Sequence, residues 1–311
     1  MSIVLGIDTS NYTTSVAIYN SETNEMISKG KLLEVESGER GLQQSKALFL
    51  HTRQLPLVLE DAFSCYNGDK LDAVCVSSTP RSVDGSYMPV FCAGVSAATS
   101  AALSNNIPLF KTSHQNGHIL AALYSVGRID LINQPFLAFH VSGGTTEALY
   151  VTPNDENIIN CELAAKTLDL NAGQVIDRIG VKLGLPFPCG NQLDKLATLG
   201  SLPKKPIPTL KGIDCCLSGL ENICDNMLKT EKKEDVSCFL FEYISKMLIS
   251  MTDKLLEKYG NIPVVYAGGV MRNSIVRQNV NGLFASPQFS SDNAAGVALI
   301  GSIILNGGLN G

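Results

Sequence analysis

Short apolar runs that end in small polar turns mark a series of buried strands along the chain. Residues 2–8 predict one strand, 8–14 a polar, hydroxyl-rich turn, and 15–19 a second strand. The same layout recurs where 136–141 leads through a Ser-Gly-Gly-Thr-Thr turn into 147–151. A repeated strand–turn–strand unit of this kind predicts two related lobes.

Segments with apolar residues at helical spacing lie between such strands, which predicts an α/β fold. The predicted helices cover 41–63 with a kink at Pro56, 88–103, 171–183, 191–199, 217–229, 234–259 and 294–305. Further buried strands are predicted at 26–35, 72–77, 107–111 and 262–267. No long linker or low-complexity segment divides the chain.

Two of the four histidines, His114 and His118, lie four positions apart at the start of an apolar run. If this run is helical, both side chains lie on one face, where two imidazoles can bind one divalent metal ion. Thr112 or Ser113 would cap the helix and place the pair in its first turn. The alternative is that two histidines share a surface face by chance, and the spacing alone does not decide between the two.

A third ligand for such a metal must come from elsewhere in the chain. Asp292 precedes the predicted helix 294–305 and is a candidate, because two histidines and one carboxylate leave coordination positions open for substrate. The alternative is that Asp292 only caps this helix.

Three turns could contact a nucleotide. The hydroxyl-rich turn supplies Ser10, Asn11, Thr13 and Thr14, and backbone amides beside short hydroxyls can hold a phosphate. An ordinary hairpin is the alternative, and this segment alone favours it. The glycines at 142–146 permit close approach of the backbone to a phosphate, and the double-glycine corner at 268–273 lies between a strand and a helix start.

Two carboxylates on predicted helices, Asp177 and Asp194, could accept hydrogen bonds from ribose hydroxyls. For Asp177 the alternative is a surface ion pair with Arg178 or Lys182 on the same helix.

Composition narrows the class of protein. A chain of 311 residues with 45% apolar and 17% charged residues describes one or two folded domains, and a net charge of −5 argues against nonspecific coating of nucleic acid. The best local basic patch is 201–213, with Lys204, Lys205 and Lys211. The nine cysteines have no zinc-type spacing, and the sequence shows no signal peptide, which favours a cytoplasmic protein with reduced thiols. No apolar run has membrane-spanning length, so no membrane association is expected.

Several motifs occur in one order along nearly the whole chain. The most specific is Pro108-x-Phe110-x-x-x-His114-x-x-Gly117-His118-Ile119. It is joined by Gly6-Ile7-Asp8-Thr9-Ser10, Val141-Ser142-Gly143-Gly144-Thr145, Leu168-Asp169 with Gly173 and Asp177, Gly184-Leu185-Pro186-x-Pro188-x-Gly190, Ser218-Gly219-Leu220, Gly268-Gly269-Val270 with Asn273, and Ser291-Asp292-Asn293. With these motifs the chain resembles the universal tRNA threonylcarbamoyladenosine synthases, long labelled O-sialoglycoprotein endopeptidases.

The resemblance implies the duplicated two-lobe α/β fold of actin-like ATPases and sugar kinases, with a central nucleotide and metal cleft. The expected lobes are 1–130 joined by 293–311, and 131–292. One iron or zinc ion is expected on His114, His118 and Asp292. The adenylate part of threonylcarbamoyl-AMP is expected at Val141, Ser142, Gly143, Gly144, Thr145, Asp177, Gly190, Asp194 and Asn273.

The resemblance also implies an activity and partners. Such enzymes transfer the threonylcarbamoyl group from the adenylate to the exocyclic amine of the adenosine next to the anticodon of tRNA. They act with the enzyme that forms the adenylate and with accessory subunits, here including a related actin-like paralogue. A peptidase fits less well, because Gln115 stands where the HExxH zinc proteases have a glutamate base.

Three regions depart from the pattern of the family. Tyr12 and Thr13 replace two acidic residues of the first turn, 79–82 replaces a Gly-Pro-Gly loop, and Thr145 stands where bacterial members often have histidine. Two alternatives therefore stay open beside tRNA modification. One is a divergent paralogue that transfers a carbamoyl-type group to another acceptor, and the other is a non-catalytic nucleotide-binding regulatory subunit.

Overall fold

A computed structural model describes residues 2–10, 12–34, 42–68, 70–286, 289 and 293–310. The chain divides into two compact units. The first comprises Met1–Gln134, Thr152–Cys161 and Gln288–Gly311, and the second comprises Pro135–Val151 and Glu162–Pro287. Compared with the lobes expected from the sequence, the first unit also takes in 131–134, 152–161 and 288–292.

The strands of the described residues are numbered in chain order. They are β1 Ile3–Ser10, β2 Thr13–Asn20, β3 Glu25–Leu32, β4 Ala73–Thr79, β5 Leu109–Ser113, β6 Phe136–Val141, β7 Thr146–Asn154, β8 Ile158–Lys166, β9 Thr209–Lys211, β10 Asp214–Cys216, β11 Val264–Ala267 and β12 Leu283–Phe284. The sequence did not predict β8, β9, β10 or β12.

The α-helices are numbered in the same way. They are α1 Gln44–Ser64, α2 Phe91–Asn105, α3 His114–Ser125, α4 Ala172–Lys182, α5 Gly190–Ala197, α6 Ser218–Met227, α7 Lys233–Tyr259, α8 Ser274–Asn279 and α9 Ala294–Leu305. Short 3₁₀ turns occur at Ile129–Asn133, Gly269–Arg272 and Gly308–Asn310. Helix α1 continues through Pro56.

The first unit is built on a five-stranded sheet in the order β3-β2-β1-β4-β5. Strand β2 pairs antiparallel with both β1 and β3, whereas β4 pairs parallel with both β1 and β5. Strand β1 lies in the centre and is buried along nearly its whole length, as its run of apolar residues predicts. The carboxyl ends of three parallel strands therefore meet at one edge of this sheet.

Glycines allow the helices of the first unit to approach closely. A Cβ added to Gly6 would lie against the carbonyl oxygen of Ala294, so strand β1 is in backbone contact with α9. A Cβ added to Gly296 would overlap the carbonyl oxygen of Gly117, so α9 and α3 also meet backbone to backbone. These contacts fix the first turn of α3 beside the start of α9.

The second unit repeats this topology. Its five-stranded sheet has the order β12-β11-β6-β7-β8, with β6 antiparallel to β7 and parallel to β11, and β11 parallel to β12. Strands β6, β7, β8, β11 and β12 thus take the places of β1, β2, β3, β4 and β5. The duplication predicted from two strand–turn–strand units is confirmed.

The core of the second unit lies between its sheet and helices α4, α6 and α7. Helix α7 is its longest helix and buries large side chains, including Phe239, Phe241 and Tyr243. Burial of such side chains is the main source of stability in a domain of this kind. Among the described residues, no helix has both the length and the apolar character needed to cross a membrane.

Candidate functional site

The predicted histidine pair lies in the first turn of α3. Ser113 caps this helix, since its side chain accepts a hydrogen bond from the backbone N–H of Asn116 at 3.2 Å. The rings of His114 and His118 lie with their centroids 4.4 Å apart and their planes at 67°. The prediction that both imidazoles occupy one helix face is confirmed, as is the cap at Ser113.

Asp8 is a partner of His114 that the sequence did not reveal. Its Oδ2 lies 2.7 Å from Nδ1 of His114, and the carboxyl side chain is 1% exposed at the buried carboxyl end of β1. Burial is the largest influence on the pKa of Asp8 and raises it. The charge of His114 and its hydrogen bond lower it, and the net pKa lies below the ordinary value of an aspartate. The other carboxyl oxygen, Oδ1, is buried and has no hydrogen-bond partner among the described residues.

Asn293 approaches the same imidazole from the start of α9. Its side-chain amide lies 3.0 Å from Nδ1 of His114, and Phe91 packs edge-on against the ring with centroids 6.3 Å apart. The other amide atom of Asn293 is buried and has no hydrogen-bond partner among the described residues. This unpaired polar atom beside two histidines fits a site that takes a polar or charged ligand.

The third predicted metal ligand, Asp292, lies outside the described residues. Within the ranges that the structure describes, no group of three or more His, Cys, Asp or Glu side chains is arranged to hold a metal ion. Two imidazoles and a nearby carboxylate nevertheless have the donor chemistry that iron and zinc bind.

The hydroxyl-rich turn of the first unit forms a hairpin. Ser10 and Thr13 face each other across β1 and β2, and Asn11 lies outside the described residues. The hydroxyl of Thr14 lies 2.8 Å from Nδ1 of His51 and donates to Oε1 of Gln54 at 3.1 Å. These contacts tie Thr14 to α1. They give it a structural partner, and its predicted phosphate contact stays a prediction.

A pocket of about 270 Å³ in the second unit brings together several of the predicted nucleotide residues. Gly143, Asp177, Gly190, Asp194 and Asn273 line it. The lining also includes Pro188 and Arg272, which lie within predicted motifs, and three residues that the sequence did not single out: Ile176, Asn191 and Phe241. The lining does not include Val141, Ser142, Gly144 or Thr145. The pocket combines apolar walls with a few polar groups, as small-molecule sites do.

The carboxylate of Asp177 faces this pocket and not the basic residues of its own helix. Its Oδ1 accepts a hydrogen bond from the backbone N–H of Cys189 at 2.9 Å. Arg178 and Lys182 pair instead with Glu221, and Lys182 also with Asp225. The alternative that Asp177 is engaged in a surface ion pair with either residue is therefore wrong.

Asp194 holds the double-glycine corner in place. It accepts hydrogen bonds from the side-chain amide of Asn273 at 2.6 Å and from the hydroxyl of Ser274 at 2.7 Å. Asn273 in turn caps α8 through the backbone N–H of Val276. The carboxylate thus has partners in the protein, and its predicted ribose contact stays a prediction.

Close backbone contacts shape the turn at 142–145. A Cβ on Gly173, in the first turn of α4, would lie 2.6 Å from the backbone nitrogen of Gly143. Gly268, with φ of +103°, lies directly against the backbone of Val141. Around Gly143 and Gly144 there is open space, since an added Cβ would meet nothing within 4 Å. The turn is therefore pinned from behind and open in front, which suits a phosphate-contacting loop.

Arg272 is a cation in the lining of the pocket. It lies on the 3₁₀ turn after β11 and makes no hydrogen bond or ion pair to another residue that the structure describes. A sequence signal for it existed, because it sits inside the 268–273 corner, but side-chain direction could not be read from the pattern.

Solved structures share this fold at low sequence identity. HypF from T. kodakarensis has a TM-score of 0.62 at 13% identity over 98% of this chain and 48% of that chain, so the chain spans about half of HypF. Component A of the Acidaminococcus fermentans (R)-2-hydroxyglutaryl-CoA dehydratase has a TM-score of 0.55 at 17% identity, over 97% and 98% of the two chains. A ROK family protein from Streptococcus pneumoniae has 0.54 at 12%, over 98% and 99%. The duplicated two-lobe α/β fold is confirmed.

Sequence comparisons are more specific. The family model for tRNA N6-adenosine threonylcarbamoyltransferase matches residues 35–299. The enzyme of that name from Bacillus licheniformis is 32% identical over 99% of this chain and 93% of its own length. The enzyme from Thermosipho africanus is 29% identical over 99% and 96%. The chain belongs to the tRNA N6-adenosine threonylcarbamoyltransferase family.

Proposed function

We propose that this chain transfers the threonylcarbamoyl group from threonylcarbamoyl-AMP to the exocyclic amine of the adenosine next to the anticodon of tRNA. The observation that carries the proposal is membership of a family matched along most of the chain. The pocket of the second unit and the histidine pair of the first unit supply sites for the adenylate and for a metal ion.

The reaction needs no side-chain nucleophile. The amine nitrogen of adenosine attacks the carbonyl carbon of the mixed anhydride, the bond from that carbon to the phosphate oxygen breaks, and AMP leaves. The amine gives up one proton. Because the AMP leaving group already activates the carbonyl, holding donor and acceptor in the correct orientation supplies much of the acceleration.

The adenylate fits the pocket of the second unit. Oδ1 of Asp177 accepts a hydrogen bond from the backbone N–H of Cys189, so Oδ2 can accept one from a ribose hydroxyl. Gly143 offers an open backbone to the phosphate, and Arg272 offers a positive charge. Phe241 and Val270 supply apolar surface for the base.

His114, His118 and Asp292 would hold one iron or zinc ion. Such an ion supplies Lewis-acid chemistry, either polarising the carbonyl or binding the phosphate. In this chain Asp8 and Asn293 hold His114 in place for it.

The reaction requires an acceptor RNA and a source of the adenylate. The substrate is tRNA in the cytoplasm, and a separate enzyme must form the adenylate from threonine, bicarbonate and ATP. Accessory subunits of the modification complex act with these partners, and one of them is a related actin-like paralogue.

Reconstitution tests the proposal. Purified chain is incubated with tRNA, threonine, bicarbonate, ATP and the adenylate-forming enzyme, with and without accessory subunits, and the modified nucleoside is measured by mass spectrometry. We expect product with the wild type and almost none with Asp177→Ala. The surface variant Asp225→Ala serves as matched control and should retain activity.

Nucleotide binding without product in every combination of subunits would contradict the proposal. That result would instead favour a non-catalytic regulatory subunit, in line with Tyr12 and Thr13 in the first turn.

A further inference from the structure

We propose that Asp8 is a positioning residue, which holds the proton of His114 on Nδ1 and so leaves Nε2 as the metal-binding nitrogen. The inference rests on the proposed metal site at His114 and His118.

The geometry of the pair supports this role. Asp8 Oδ2 lies 2.7 Å from His114 Nδ1, and the two side chains are 1% and 14% exposed. A separation of 2.7 Å is the length of a charge-assisted hydrogen bond. The contact joins residues 106 positions apart, at the carboxyl end of β1 and the first turn of α3. Both elements are buried, so neither partner can rotate freely.

Chemistry then decides where the proton lies. An aspartic acid is a much stronger acid than an imidazolium, so at neutral pH the proton shared by a hydrogen-bonded Asp–His pair lies on the ring nitrogen. An ionised carboxylate accepts hydrogen bonds and cannot donate one. Nδ1 of His114 must therefore carry the proton.

Asn293 lies against the same ring. Its side-chain amide is 3.0 Å from Nδ1 and 3.5 Å from Nε2 of His114, so it contacts both ring nitrogens and does not select one of them. The hydrogen bond with Asp8 is the contact that distinguishes Nδ1 from Nε2.

The consequence concerns the opposite edge of the ring. With Nδ1 protonated, a neutral His114 carries its lone pair on Nε2, and only that nitrogen can bind a metal. Partners of this kind fix the orientation and raise the basicity of metal-binding histidines, and their loss weakens metal affinity by about 10–100-fold. Asp8 belongs to the first hairpin, in which Tyr12 and Thr13 replace the two acidic residues of the family pattern.

Nitrogen-15 NMR of metal-free protein labelled in histidine tests the proton position directly. The signals of His114 are assigned by their absence in His114→Ala. At a pH where the imidazole is neutral, we expect Nδ1 to show the nitrogen-15 chemical shift of a protonated ring nitrogen and Nε2 that of a nitrogen with a free lone pair. Asp8→Asn should move the population toward the other tautomer. A wild-type His114 with its proton on Nε2, or a freely exchanging mixture, overturns the proposal.

Zinc affinity, measured by competition with a chromophoric chelator, tests the consequence. We expect Asp8→Asn to weaken Zn²⁺ binding by about 10–100-fold and Asp8→Glu, which restores a carboxylate, to recover part of it. Asp130→Asn removes an exposed carboxylate paired with Arg128 in the same unit and should leave affinity unchanged within about twofold. Unchanged affinity in a folded Asp8→Asn protein overturns the proposal.

Two precautions keep the outcome decisive. If Asp8→Asn does not fold by circular dichroism, the wild-type NMR spectrum decides alone. Neither readout depends on transfer activity. A wild type with the Nδ1 proton but no tRNA modification would sink the proposed function only, and an active enzyme with the Nε2 proton would sink this inference only.

Discussion

The first hairpins of the two units share one topology and differ in chemistry. In the first unit β1 ends in buried polar side chains that contact neighbouring elements. Asp8 contacts His114. The hydroxyl of Thr9 donates a hydrogen bond to the carbonyl of Val90 and accepts one from the N–H of Gly94. In the second unit β6 ends at a turn whose glycines have no side chains to contribute. The end of the first unit's hairpin therefore offers a charged side chain to a ligand, and the end of the second unit's hairpin offers backbone groups.

This difference shows how a duplicated fold acquires two kinds of site. The strand order fixes where each hairpin ends, and the residues placed there decide what can bind. A carboxylate beside a histidine pair suits a cation. A glycine turn that is pinned by Gly173 and open at Gly144 suits a phosphate. Variants that act on one site and spare the other test this division.

The largest effect is expected from His118→Ala. Purified wild type should carry about one equivalent of iron or zinc per chain, and the variant should lose nearly all of it, because open catalytic sites depend on about three protein ligands. The affinity for ATP, titrated after the metal has been removed from both proteins, should be equal in wild type and variant, since the pocket residues lie in the second unit. Metal analysis by mass spectrometry and calorimetric titration with ATP measure the two.

His140→Ala, on β6, is the matched histidine control and should retain the metal. Metal retained by the double variant His114→Ala, His118→Ala would remove the histidine pair from the site.

Asp177→Ala should act on the other site alone. Loss of a charged ribose contact costs about 1.5–3 kcal/mol, which is roughly a ten- to hundredfold loss of affinity for ATP or AMP. Metal content should stay at the wild-type level. Calorimetric titration measures the affinity, with Asp225→Ala as the control for loss of a surface carboxylate. Equal affinities of a folded Asp177→Ala and wild type would exclude Asp177 from nucleotide binding.

Gly173→Ala tests the pinned glycine turn. The added Cβ would lie 2.6–2.7 Å from backbone atoms of Gly143, so α4 or the turn must shift. Overpacking of this kind costs about 1–3 kcal/mol of stability. Gly144→Ala, which meets open space, should change stability by less than about 0.5 kcal/mol. Urea unfolding followed by circular dichroism compares the two. Equal midpoints would show that the turn is not held by Gly173.

Much of this architecture could be read from the sequence, because it depends on local patterns. The apolar runs located the central strands, and the spacing of His114 and His118 with Ser113 as cap located the first turn of α3. Strand β8 was missed because the polar residues Asn160 and Glu162 interrupt its apolar pattern.

The contacts that complete the sites could not be read in this way. The pairing of Asp8 with His114 depends on two elements meeting in the fold, and no local spacing encodes it. The same holds for Phe241 of α7, which reads as a core residue in its own helix and lines the pocket only because α7 packs there. The alternative that Asp177 pairs with a base on its own helix failed because Glu221 of α6 binds both Arg178 and Lys182.

The smallest expected effect concerns Asp169, a carboxylate that supports the second unit without lining its pocket. It accepts hydrogen bonds from the backbone of Leu217 at 2.7 Å and from the hydroxyl of Ser218 at 2.5 Å, at the start of α6. Burial raises the pKa of Asp169, but the hydrogen bonds from Ser218, Leu217 and Leu170 outweigh it and lower the pKa to about 2. Because the folded pKa lies below the unfolded value, the ionised carboxylate stabilises the fold above about pH 4, and this contribution disappears as the pH falls toward 2. The side chain is largely solvent-exposed, so screening reduces the effect to about 1 kcal/mol.

Asp169→Asn should therefore be less stable than wild type by about that amount at pH 6 and equal to it near pH 2, in urea unfolding at both pH values. A difference that is the same at both pH values would show that packing, and not the charge of Asp169, holds the start of α6.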